Sequence, residues 1–252
     1  MQEQIVTGSI VTYNNGKMIE RCIASILEQT KGCRFRLYVY DNCSSDDTVS
    51  KIRSGFPQVK VIEGKANKGF GYGHNQVIKR VKSQYHAVIN PDIFLDTDVI
   101  TQMAEYMDKH PEIGILMPKV LNPDGTEQHL PKRQPNFKYV ILSKFKKYRY
   151  YRDEYTRAGE DICAPVKCEN ISGSFFVADT AALKQLHGFD ERYFMYFEDA
   201  DLGKRMAGIK EIVYHPDYYV YHEWKRDNTK SFKGIRIFLT SMVKYILKWK
   251  TF

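Results

Sequence analysis

A chain of 252 residues with 43% hydrophobic content carries enough apolar side chain for one large domain or two small ones, so no disorder is needed. Its 38 basic and 30 acidic residues leave a formal charge of +8, which implies an anionic partner among nucleotide, phosphate, nucleic acid and membrane surface without choosing between them. Five irregularly spaced cysteines fit reduced thiols, and Cys163 and Cys168 lack the usual zinc-pair spacing; no apolar run reaches membrane-spanning length, and Met1-Gln2-Glu3-Gln4 does not open a signal peptide.

Ile5 to Tyr13 reads as a buried strand ending at Asn14-Asn15-Gly16, and Lys17 to Gln29 follows with a helical stripe of Met18, Cys22, Ile23, Ile26 and Leu27. Arg34 to Tyr40 is the next strand, and Ser44 or Ser45 is expected to cap a helix running through Phe56. Val59 to Glu63 is a third strand. After the glycine-rich stretch Asn67 to Gly73 comes a helix to about Val81, then a fourth strand, His86 to Ile89, stopped by Asn90-Pro91-Asp92. A helix from Thr97 to His110 and a strand from Ile113 to Met117 continue the alternation, which predicts an α/β fold: a mostly parallel sheet with helices on both faces. Ligands bind beyond the carboxyl ends of such strands, where Thr12-Tyr13-Asn14, Asp41-Asn42, Glu63 and Asn90-Pro91-Asp92 stand.

Asn122-Pro123-Asp124-Gly125 is a turn signal. Gln128 to Arg152 contains no acid and interleaves eight cations with tyrosine and phenylalanine. Such a segment is either a solvated surface or a mobile basic arm facing phosphates or an anionic membrane; base stacking on its aromatics is the weaker third reading. Pro165 to Ala178 reads as a strand in which Gly173 permits close approach, and Leu183 to Leu186 closes a short helix that His187-Gly188 ends.

Arg192 to Arg205 delivers three carboxylates after an aromatic run. Apolar surroundings and a crowded like charge raise carboxylate pKa values, which suits a general base. On a helix starting near Glu198, that residue, Asp201 and Arg205 share a face and can pair, while Asp199 points about 100° away. Helix-dipole placement of the same acids is the structural alternative. Glu211 to Tyr221 is strand-like; His215 and His222 lie seven residues apart, so at most one of them aims at a site on an uninterrupted strand. The tail from Ser231 sets Phe232, Ile235, Leu239, Met242, Ile246 and Trp249 on one helical face among lysines and an arginine, which suits either packing on the domain or lying in a membrane interface. No linker divides the chain cleanly: the expected layout is one domain over 1–228, with halves 1–120 and 121–228, and a basic amphipathic helix over 229–252.

Taken in order, Ile10-Val11-Thr12-Tyr13-Asn14, Asp41 to Asp46, Asn67 to Asn75, Asn90-Pro91-Asp92, Ser172-Gly173-Ser174 and Gly188-Phe189-Asp190 through Arg205 resemble the family-two inverting glycosyltransferases of GT-A fold. Within these they are most similar to bacterial rhamnosyltransferases of cell-surface polysaccharide assembly. The resemblance implies a nucleotide-diphosphate sugar donor, with dTDP-rhamnose the best match and a UDP-sugar the alternative. It places Thr12, Tyr13 and Asn14 along the nucleotide and Asp41 near the base or ribose. The stretch holding Asn67, Gly69, Phe70, Gly73 and Asn75 would bring backbone close to the donor. Asn90-Pro91-Asp92 takes the place of the metal-binding Asp-X-Asp, with an amide for the first carboxylate. The implied Mg2+ or Mn2+ would then rest on Asp92, the diphosphate, water and His222. Asp199 corresponds to the catalytic base, Gly173, Glu198, Asp201 and Arg205 to its acceptor-side frame, and Lys225 and Arg226 to cations for the departing phosphate. The same resemblance implies a lipid-linked saccharide acceptor and a peripheral position on the cytoplasmic membrane face through the basic tail, with no nucleic acid partner. Two other readings stay open. A sugar-1-phosphate nucleotidyltransferase would carry a glycine- and arginine-rich loop where Asn14-Asn15-Gly16-Lys17 stands, and a non-catalytic polysaccharide-binding module is favoured only by Asn90.

Overall fold

The computed structural model describes residues 5–128, 131–223 and 231–251. Among these residues nine strands form one sheet: β1 (Ile5–Thr12), β2 (Arg34–Asp41), β3 (Lys60–Glu63), β4 (Tyr85–Ile89), β5 (Ile93–Phe94), β6 (Ile113–Leu121), β7 (Val166–Lys167), β8 (Phe175–Asp179) and β9 (Glu211–His222). Their order is β3-β2-β1-β4-β8-β6-β9-β5, with β7 also on β9. The pairings of β1 with β2 and β4, of β2 with β3 and of β6 with β9 are parallel, whereas β8, β5 and β7 run against their partners. Six strands therefore share one direction and three oppose it, the mostly parallel arrangement expected of the alternating first half.

Two apolar layers sandwich the sheet. On one face α1 (Ile19–Gln29), α2 (Thr48–Gly55) and α4 (Val99–Lys109) contribute Ile19, Ile23, Ile26, Ile52, Ile100 and Met103. On the other, α3 (Phe70–Ile78), α7 (Thr180–Gln185) and α8 (Glu198–Met206) contribute Ile78, Leu183, Leu202 and Met206 against Val88 and Phe176. Polar groups inside the sheet are paired in a chain: Thr7 Oγ1 meets His86 Nδ1 at 2.8 Å, His86 Nε2 meets Ser9 Oγ at 2.8 Å, and Ser9 Oγ meets His74 Nδ1 at 2.7 Å. Burial pushes the His86 imidazole down to about 3, so it stays neutral.

Several boundaries differ from the sequence expectations for physical reasons. Helix α2 begins at Thr48 with Asp47 as its N-cap, and neither Ser44 nor Ser45 caps it: Ser44 is spent on Asp41, whose Oδ2 accepts from its N–H at 2.9 Å. The helix begins within the glycine-rich stretch: residues 67–69 are irregular, and Phe70 to Gly73 already form the first turn of α3. Strand β6 extends to Leu121 because β9 follows it past a register shift after the Pro118 and His215 pair, where Pro118 and Pro216 supply no N–H to the ladder. The expected strand over 165–178 is two pieces, so Gly173 lies just outside the start of β8 rather than within a strand.

The basic segment folds into helical turns at 137–148, α5 (Phe137–Val140) among them, followed by α6 (Tyr150–Thr156). It is pinned by Glu154, which accepts from the Tyr139 hydroxyl at 2.5 Å and the Lys138 ammonium at 3.1 Å. It is thus a packed element and not a free arm. The last helix, α9 (Phe232–Trp249), is capped by Ser231, whose Oγ accepts from the Gly234 N–H at 3.0 Å. Its inner side joins Tyr193, Phe197 and Ala200 in a third apolar cluster through Met242, Tyr245 and Ile246.

Candidate functional site

The parallel strands β1, β2, β3 and β4 all finish at one edge of the sheet, and β8 enters from that same edge because it runs antiparallel to β4. The Asn90 N–H donates to the Ser174 carbonyl at 2.8 Å, which fixes the turn after β4 beside Gly173. The Gly173 N–H in turn donates to Asp199 Oδ2 at 3.1 Å. A Cβ on Gly173 would lie 3.4 Å from the Asp199 Cβ and 3.6 Å from a ring carbon of Phe70. Gly173 is therefore the point where α3, α8 and the exit of β4 converge.

Asp199 is half-buried and lines a cavity of about 100 Å³ with Lys132, Tyr155, Asn170, Ser172 and Phe197. Burial raises its carboxyl above the usual range; the N–H groups of Ala200 and Gly173 and the charge of Lys132 oppose that rise without cancelling it. Glu198 is pushed well above its ordinary value, by burial first and the Asp199 charge second. The backbone that delivers this pair is strained: Tyr196 and Phe197, immediately before α8, both have left-handed φ, 70° and 68°. Ring packing holds them there, with the Phe197 centroid 5.5 Å from Tyr245 and the Tyr196 centroid 5.6 Å from Phe238.

The acidic helix is framed differently from the expected trio. Asp201, fully buried, pairs with Arg205 Nε at 2.8 Å as the i, i+4 spacing foretold, but among the described residues Glu198 Oε2 has no hydrogen-bond partner, so Glu198 does not join them through it. Asp201 is instead completed from α9, by Lys248 Nζ at 2.5 Å and by the Trp249 indole N–H at 2.9 Å. Lys248 also reaches Asp190 at 2.8 Å. Sequence spacing carries no sign of these partners: Trp249 lies 48 residues from Asp201, and Lys248 lies 58 from Asp190.

A second cluster stands where β5 pairs with the end of β9. That pairing sets His222 opposite Ile93 and brings His222 Nε2 to 3.2 Å from Asp92 Oδ1. The other ring nitrogen, Nδ1, lies 3.2 Å from Gln128 Oε1, an outer contact of the kind that fixes the tautomer of a metal-ligating histidine. Two buried groups, one hard oxygen and one imidazole nitrogen, thus face each other. Among the described residues no group of three or more His, Cys, Asp or Glu could hold a metal, so a bound cation would take its remaining ligands from substrate and water. His215, by contrast, stacks on Tyr218 and meets the Tyr106 ring edge-on, away from this pair.

The residues expected along the nucleotide sit at the exits of β1 and β2. Thr12 is buried and donates to Asn15 Oδ1 at 3.0 Å; Tyr13 is exposed; Asn14, at φ 55°, accepts from the Ser45 N–H at 2.9 Å. Asp41 is buried with both carboxylate oxygens engaged by Ser44. Asn42 clamps the glycine stretch, donating to the Gly69 carbonyl at 3.1 Å and accepting from the Lys68 N–H at 3.2 Å, while Asn67 Oδ1 accepts from the Gly69 N–H at 3.0 Å. Gly69 adopts φ 94°, and a Cβ there would lie 2.0 Å from the Phe194 carbonyl oxygen; one at Gly73 would lie 2.7 Å from Val11. These close approaches are to the protein's own chain. Asn75 is buried, donates to the Phe189 carbonyl and to Glu191, and accepts from the Phe189 N–H, so it holds the 188–191 turn. Lys225 and Arg226 lie outside the described residues. Tyr155, which lines the cavity, carries no signal in the sequence; Lys132 reads there only as one cation of the basic segment, and Asn42 only as one polar residue at a strand exit.

The family model of Glycosyl transferase family 2 matches residues 9–170. The chain belongs to glycosyl transferase family 2 and is a glycosyltransferase. It is similar to the N-acetylglucosaminyl-diphospho-decaprenol L-rhamnosyltransferase of Mycobacterium tuberculosis, 29% identical over 232 residues, covering 84% of this chain and 74% of that one. It is also similar to the rhamnosyltransferase WbbL of Escherichia coli, 27% identical over 250 residues, covering 95% and 91%. Among solved structures it superposes on a mannosyltransferase from Pyrobaculum calidifontis in complex with GDP-Man and Mn2+, with TM-score 0.66 and 14% identity over 96% of this chain and 64% of that one. It superposes likewise on GalNAc-T7 with UDP, GalNAc and Mn2+, with TM-score 0.71 and 14% identity over 98% of this chain and 48% of that one. The fold of this glycosyltransferase is GT-A.

Proposed function

We propose that this glycosyltransferase moves a sugar, L-rhamnose from dTDP-rhamnose being the best match, from a nucleotide-diphosphate donor onto a hydroxyl of a lipid-linked saccharide at the cytoplasmic membrane surface, with inversion. The observation that carries the reading is the half-buried carboxylate of Asp199 lining a cavity beside Gly173, with burial raising it above the ordinary carboxylate range. Both rhamnosyltransferase relatives support the sugar, and the first of them supports a lipid-diphosphate acceptor.

In this reading the acceptor saccharide enters the cavity between Lys132, Tyr155 and Ser172, and Asp199 takes the proton of its attacking hydroxyl. A positioned base contributes about 10²- to 10⁴-fold in rate. The residues at the strand exits, Thr12, Tyr13, Asn14, Asp41 and Asn90, together with Asn67, Gly69, Phe70 and Gly73, form the donor side. Asp92 and His222 would hold Mg2+ or Mn2+, which when bound would neutralise the charge developing on the leaving diphosphate. Asp201 and Arg205, locked to α9, keep α8 and hence Asp199 in place.

A donor screen scored by release of nucleoside diphosphate, with a short lipid-linked acceptor and with Mn2+, Mg2+ or chelator present, tests the reading. Asp199→Asn is expected to bind donor as the wild type does and to lose transfer. An Asp199→Asn protein with near-native turnover would exclude the assignment. A nucleotidyltransferase would instead form pyrophosphate, and a binding module would release nothing.

A further inference from the structure

The apolar stripe that the sequence sets on one side of the last helix is split in the folded protein. Met242 and Ile246 turn inward to the cluster around Phe197 and Tyr193, while Phe232, Ile235, Leu239, Val243 and Leu247 face solvent. These five recur every three or four residues and so form a single outward stripe, with Phe232 87% and Leu247 65% exposed. From Ser231 to Phe252 there is no acidic residue, and the exposed cations Lys233, Arg236, Lys244 and Lys250 lie in and beside the stripe.

The basic segment adds a second patch next to it. Val140 and Ile141 pack on the same cluster as α9, the Phe137 N–H donates to the Thr251 carbonyl at 3.3 Å, and the Lys144 ammonium lies 5.1 Å from the Phe238 ring. Around Lys144 the chain exposes Phe145, at 60%, and Tyr150, among Lys146, Lys147 and Arg149.

We infer that the outward face of α9 and the tip of the 144–150 turn form one docking surface for an anionic lipid bilayer, with α9 lying flat in the headgroup region. The stripe runs about 23 Å, which is 15 steps at 1.5 Å. Aliphatic and aromatic tips flanked by cations alone match the two components of interfacial binding, apolar burial and attraction to anionic headgroups. Arg236, within the stripe, extends its guanidinium toward the headgroups while its stem stays in the apolar zone. No described helix is long and apolar enough to cross a membrane. The inner side of the same helix holds Asp201 through Lys248 and Trp249, so docking sets the acceptor cavity in a fixed relation to the lipid surface. The inference rests on, and deepens, the reading of a lipid-linked acceptor.

The test is co-sedimentation of the full chain with phosphatidylcholine vesicles containing or lacking phosphatidylglycerol, with light scattering for self-association. Wild type is expected to bind the anionic vesicles and release them as salt is raised. Ile235→Glu combined with Leu239→Glu is expected to weaken that binding about tenfold or more, with turnover of a water-soluble acceptor lacking lipid within about twofold of wild type, since neither residue touches the cavity. Lys146→Glu with Lys147→Glu is expected to weaken binding to anionic vesicles about 30-fold or more through charge alone. Binding that survives both double variants, no binding by wild type, or a dimer broken by the Ile235 and Leu239 changes would overturn the inference. Vesicle binding by a wild-type protein that transfers no sugar would leave the docking surface standing and remove the proposed function.

Discussion

Removing the ammonium of Lys248 by Lys248→Met perturbs the clamp between the last helix and the acidic helix at its centre. Asp201 is fully buried and balanced by two cations, Arg205 at 2.8 Å and Lys248 at 2.5 Å, with the Trp249 indole at 2.9 Å. Lys248 serves a second carboxylate, Asp190, at 2.8 Å, which keeps the largely exposed Arg192 as an alternative. Breaking a buried pair costs about 3 to 5 kcal/mol, because the remaining charge is stranded. Since Arg205 still faces Asp201 in the variant, the expected loss is at the low end, about 3 kcal/mol. At 2 to 4 °C per kcal/mol for a chain of this size, the thermal midpoint should fall by roughly 6 to 12 °C. Lys248→Arg, which keeps the charge and can reach both carboxylates, should recover most of it. Differential scanning calorimetry at neutral pH measures both, and a midpoint within about 2 °C of wild type for Lys248→Met would refute the clamp. A pH dependence follows with a definite sign. Hydrogen bonds and charge from Arg192 and Lys248 hold the Asp190 carboxyl well below the carboxylate range, so its stabilisation is present above the unfolded value of about 4 and fades as the pH falls below it.

Three further outcomes follow from the site. If Asp199 acts as base, kcat/KM should rise with pH through a value above the ordinary carboxylate range, and Lys132→Met, which removes a charge that lowers that value, should move this limb to higher pH; a limb unmoved by the substitution would separate Lys132 from the base. Glu198→Gln should raise the thermal midpoint, by an amount that grows as the pH rises above about 4.3. Its buried carboxyl has a raised pKa, so it disfavours the fold increasingly between the unfolded and folded values; equal midpoints at pH 5 and pH 8 (about 25 °C buffer values) would contradict the burial. Gly69→Ala should cost about 1 to 3 kcal/mol for its left-handed backbone alone and more for the contact with the Phe194 carbonyl, and calorimetry together with nucleotide titration should show stability and donor affinity falling together.

What the sequence made legible was what periodicity and local spacing encode. The buried run of β1, the stripe of α1 and the i, i+4 pair of Asp201 and Arg205 all stood where they were expected, because each depends on residues within a few positions. The sequence sets the whole glycine stretch ahead of its helix because Gly69, Gly71 and Gly73 look like flexibility; their need arises from Phe194, Phe189 and Val11, brought up by tertiary packing. Asn75, which the resemblance sets beside the donor, has its amide on Phe189 and Glu191, more than a hundred residues on, partners that local spacing does not reveal. Polar residues at strand exits read alike whether they serve a ligand or a turn, and only the count of engaged atoms separates them.

The last helix shows how two functions can be superposed in one pattern. From sequence its apolar residues form one broad face, and packing or membrane contact were alternatives. In the fold they are divided by rotation about the helix axis, Met242, Tyr245 and Ile246 inward and Phe232, Leu239 and Leu247 outward. The inward part does more than bury area. Tyr196 and Phe197 sit in left-handed backbone at a cost of about 1 to 3 kcal/mol each, and the rings that hold them, Phe238 and Tyr245, belong to α9. That strained turn is what starts α8 at Glu198 and directs Asp199 toward Gly173. If α9 offsets the strain, Phe238→Ala should lower kcat more than the loss of one half-buried ring lowers stability, because the turn would relax and carry Asp199 away from the Gly173 N–H. A variant that loses stability with kcat intact would show instead that the turn holds itself and that α9 only covers it.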